Sequence, residues 1–79
     1  MDAATALDIL KDAFDRCRDE DIRTPEVYAA LEYLQSRSAT KWPFDQFRNA
    51  LDNDNEEGKW QVLNASLNGI KLAVNAAIR

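Results

Sequence analysis

The last third of the chain limits most sharply what it can fold into. Trp60, Leu63, Leu67, Ile70, Val74 and Ala77 recur at spacings of 3, 4, 3, 4 and 3. This is a heptad seam, a pattern that keeps its apolar residues on one side only in an α-helix. Small residues run beside it at Ala65, Gly69, Ala73 and Ala76, where a second backbone can come close. Val62, Leu72 and Ile78 widen the apolar surface. The polar stripe that remains is Gln61, Asn64, Asn68, Lys71 and Asn75, with a single charge. A surface helix normally has a broad charged face. This one is therefore expected to be enclosed on more than one side, either as the spine of a bundle or within a subunit interface. Both settings give the same periodicity.

Chain length adds a reason to expect an interface. Seventy-nine residues make one domain, 1–79, whose small core buries only ~60–65% of the unfolded surface. Short chains commonly lean on a disulfide, a metal or a second subunit. Cys17 is the only cysteine and there is no histidine, so an internal disulfide is impossible and a metal would need carboxylates alone. Self-association is the remaining support. The expectation is a homodimer that meets through Trp60, Leu63, Leu67, Ile70 and Val74.

Three shorter helices are expected upstream. In the first, about Ala3 to Arg18, Leu7, Leu10, Phe14 and Cys17 share one face. Either Asp2 or a Thr5–Asp8 pair can cap it. Asp19, Glu20 and Asp21 then crowd together and oppose a helix C-terminus. Thr24-Pro25-Glu26 is a strong start signal, with a capping threonine, proline in the first turn and an acid at the positive end of the dipole. The second helix should run from Pro25 to about Arg37, with Val27, Leu31 and Leu34 inward. Trp42 precedes Pro43 and reads as connector. A third helix, Pro43 to about Leu51, presents Phe44, Phe47 and Leu51 on one face. Asp52-Asn53-Asp54-Asn55 is a turn by composition, and one of its asparagines caps the long last helix. The fold class expected is all-α, a small bundle of three short helices and one long C-terminal helix.

Charge and composition remove several functions. Net charge is −4, which argues against a nucleic-acid or membrane-surface binder. No stretch approaches the ~20 apolar residues of a membrane span. Asp2 and the absence of a base before Lys11 do not make a secretory leader, so the expectation is a cytoplasmic protein with a reduced thiol. Without histidine there is no base to activate Cys17, and no glycine-rich phosphate loop occurs. The acidic run from Asp52 resembles a calcium loop only superficially, because Glu57 stands where glycine is required and Leu63 where the bidentate glutamate should be. No enzyme and no cofactor are expected.

Two polar constellations are candidate contact sites. Asp8, Asp12, Asp15 and Asp19 form a stripe at spacings 4, 3 and 4 on the first helix. It is either a solvated outer face or a grip for a basic partner. Residues 1–36 carry nine acids against four bases, so an acidic mimic of nucleic acid is the alternative function. Arg37, Lys41 and Arg48 stand among Trp42, Phe44 and Phe47 in the only positive stretch. Basic residues among aromatics suit stacking on single strands. The simpler reading puts the phenylalanines in the core and leaves Trp42 as an anchor for a protein partner. A helix-turn-helix is disfavoured by a glycine-free connector and by a recognition helix whose only base is Arg48. The function expected is a small, non-catalytic protein-interaction or regulatory module.

Overall fold

A computed structural model describes residues 2–17, 19–52 and 56–78, with side chains of the last helix described from Trp60 to Asn75. The elements are α1 (Ala3–Arg16), α2 (Pro25–Ser36), α3 (Trp42–Asp52) and α4 (Glu56–Ile78). No strand occurs among the described residues. The chain is a small all-α bundle of three short helices and one long one, as the periodicities predict. No helix among the described residues is long and apolar enough to cross a membrane.

Local chemistry sets the helix starts. Asp2 is extended, and its carboxylate accepts the Thr5 N–H at 2.8 Å, so Asp2 caps α1 and the Thr5–Asp8 pair does not. That backbone donor holds the Asp2 carboxyl below its ordinary value. Thr24 Oγ1 accepts the Val27 N–H at 3.3 Å, with Pro25 and Glu26 in the first turn of α2, as the start signal requires. The cap expected at Asn53 or Asn55 lies outside the described residues.

Helix ends differ from the sequence reading by one or two residues. α1 stops at Arg16, whose carbonyl accepts from the Asp19 and Glu20 N–H groups at 3.1 and 2.9 Å. Cys17 is consequently the C-cap of α1 rather than a residue of its last turn, and it still lies on the apolar side, half-buried against the core. α3 begins one residue early, at Trp42, with the Lys41 carbonyl accepting from Phe44 and Asp45. Trp42 is the first helical residue, so the helix begins at this position despite the extended bias before proline.

Packing turns on small residues. α1 pairs with α2 and α3 with α4, and the two pairs meet across the middle. Ala6, Leu10 and Ala13 are the buried residues of α1, while Leu7 and Phe14 are only partly covered. The alanines let α1 approach closely, which turns the inward face slightly from the Leu7/Phe14 line. Phe44, Phe47, Leu51, Val27, Leu31 and Leu34 fill the centre as expected, joined by Ile22 from the connector. Ser66 is also buried, its hydroxyl donating to the Val62 and Leu63 carbonyls at 2.7 and 3.1 Å.

One hydrogen bond between helices is sensitive to pH. The Tyr28 hydroxyl donates to Asp52 Oδ1 at 2.8 Å, tying α2 to the end of α3. Burial first, then that bond, pushes the phenol above its ordinary 10.0. A group whose folded pKa is raised contributes stability below its unfolded value and loses it as pH climbs through the folded one. Tyr28→Phe is expected to cost about 1 kcal/mol near neutrality and to flatten the decline above about pH 10. Urea melts at neutral and alkaline pH check this. An undiminished alkaline decline in the variant would exclude the Tyr28–Asp52 bond as its cause.

Candidate interaction surface

The acidic stripe is only partly a stripe. Asp8, Asp12 and Asp15 are exposed along the outer side of α1, but Asp19 lies beyond the helix end, in the following turn. Arg16 already stands among these acids, with one nitrogen 2.7 Å from Asp12 and the other 3.1 Å from Glu20. Exposed pairs of this kind contribute about 0–1 kcal/mol, and the one positive charge of Arg16 offsets part of the negative charge that a basic partner would meet. Among the described residues no three acids or thiols converge as metal ligands would.

The basic–aromatic segment is organised by the end of α2. Arg37 lies 3.7 Å over the Tyr33 ring and donates to the Tyr33 carbonyl at 3.2 Å. Lys41 Nζ donates to the Gln35 carbonyl. Both cations therefore sit on the last carbonyls of α2, at the negative end of its dipole. Arg48 donates to Gln35 Oε1 at 3.0 Å and stands 3.7 Å from Asp45, which itself accepts from Gln35 Nε2 at 3.4 Å. Gln35, which carried no weight in the sequence reading, is the hub of this network. Phe44 and Phe47 are fully buried, so the segment offers Trp42 alone as an exposed ring. The row of platforms that single strands stack upon is not formed there.

The seam expected to join two copies is used within one. Leu63, Leu67, Ile70 and Val74 are buried in the chain's own core, and only Trp60 remains partly open, at 37% exposed with its ring centroid 5.6 Å from Phe14. Three short helices give the seam more cover than their length suggests, because alanines bring α1 close and α3 lies along α4. A second copy cannot use those four leucine, isoleucine and valine side chains without opening the bundle.

What faces outward is different and, among the described residues, poor in charge. Val62, Ala65, Gly69 and Leu72 fall at i, i+3, i+7 and i+10, one face of α4. Val62 is 41% and Leu72 72% exposed. Trp42, 54% exposed, reaches this face at Gly69: a Cβ built there would lie 3.0 Å from Trp42 Cη2 and 2.9 Å from Pro43 Cβ. Exposed Gln46 and Asn49 follow Trp42 at i+4 and i+7, on the same side of α3. The ionisable residues of α3, namely Asp45, Arg48 and Asp52, instead reach Gln35 and Tyr28 of α2. The outward α3–α4 side thus combines Trp42, Val62, Ala65 and Leu72 with a rim of side-chain amides, in a chain that is 30% charged. The sequence reading registered Val62 and Leu72 only as extra girth. Their spacing to Ala65 was the available signal.

No protein-family model matches the chain, and neither curated proteins nor solved structures provide a match.

Proposed function

We propose that the chain is a small interaction module without chemistry of its own, acting through the uncharged α3–α4 side. The observation that carries this reading is the exposure of Trp42 and Leu72 on a surface that, among the described residues, holds no ionisable group between them. Tryptophan is among the residues that dominate interface energetics, and charged residues are depleted at interface centres. The partner this reading favours is a protein, since among the described residues the outward α3–α4 side offers a tryptophan, aliphatic side chains and amides rather than a basic face. A single cysteine and no possible internal disulfide support a cytoplasmic setting. An acidic inhibitor imitating nucleic acid is the weaker reading, because Arg16 is already set among the carboxylates of α1.

Site-specific photo-crosslinking tests the choice of surface. A photoreactive side chain in place of Leu72 is expected to form protein adducts in cells, and the same group in place of Asp12 is expected to form few. Adducts from the Asp12 position with none from the Leu72 position would move the contact to the acidic side and overturn the proposal.

A further inference from the structure

We draw no further inference here: the strongest candidate, the exposed Val62–Ala65–Leu72 face of α4 beside Trp42, is an unpartnered apolar surface, and nothing in the structure shows what covers it.

Discussion

Leu63→Asp should unfold the chain, whereas Leu72→Asp should leave its stability within about 0.5 kcal/mol of the parent at micromolar concentration. Both replace a leucine of α4 with the same charge, nine residues apart. Leu63 is fully buried in the core between the two helix pairs, while Leu72 is largely exposed. A carboxylate at Leu63 would have to remain charged in an apolar site or take up a proton, and either costs several kcal/mol on top of the lost packing. A domain of this length has only about 4–12 kcal/mol in total. Circular dichroism and a urea melt separate the outcomes. A folded, monomeric Leu63→Asp would mean that the seam lies at a subunit boundary after all, and the burial of Leu63 within one chain would be wrong.

The same pair of leucines shows how far the sequence could be followed. A 3-4-3-4 apolar repeat requires a helix and identifies the side that is covered, so the class of fold and the residues of its core were legible. The repeat is silent on what provides the cover, because one chain's short helices and a second copy's long helix present the same apolar surface. Two tertiary facts decide it. Ala6 and Ala13 let α1 close on its neighbours, and α3 lies antiparallel along α4 with Pro43 against Gly69. Neither has a periodic signature.

The basic–aromatic segment was misleading for a related reason. Arg37, Lys41 and Arg48 resemble a nucleic-acid face when only their chemistry and proximity in the chain are known. Their positions are fixed by Gln35 and by the carbonyls ending α2, which appear only when the connector folds back. Helix termini attract cations locally. A cluster of bases just after a helix is thus as well explained by that helix as by any ligand. Trp42 is the exception: no hydrogen bond of the α2 end involves it, and its indole lies outward over α4.

Gly69→Ala should destabilise the chain by up to about 2 kcal/mol, against the sign that helix propensity predicts. In an ordinary helix interior, alanine for glycine gains about 1 kcal/mol. Here the new methyl would stand 2.9 Å from Pro43 Cβ and 3.0 and 3.2 Å from two atoms of the Trp42 ring. The indole could swing aside at the cost of its own contacts. Pro43 cannot, since its ring is closed onto the backbone and the residue is buried at the start of α3. The start of α3 would have to lift from α4, and overpacking of that kind costs about 1–3 kcal/mol. The urea midpoint should fall, and in a Trp60→Phe background the emission of Trp42 should shift to the red as its ring loses α4. A raised midpoint with unshifted emission would mean that α3 and α4 are not held at Gly69. The consequence would extend to the contact surface. Trp42 is a pre-organised anchor only if the bare backbone at Gly69 fixes where its ring lies, and a ring ordered before contact does not lose that freedom on binding. Gly69→Ala should therefore weaken partner binding through Trp42 as well as the fold, while leaving Val62, Ala65 and Leu72 in place.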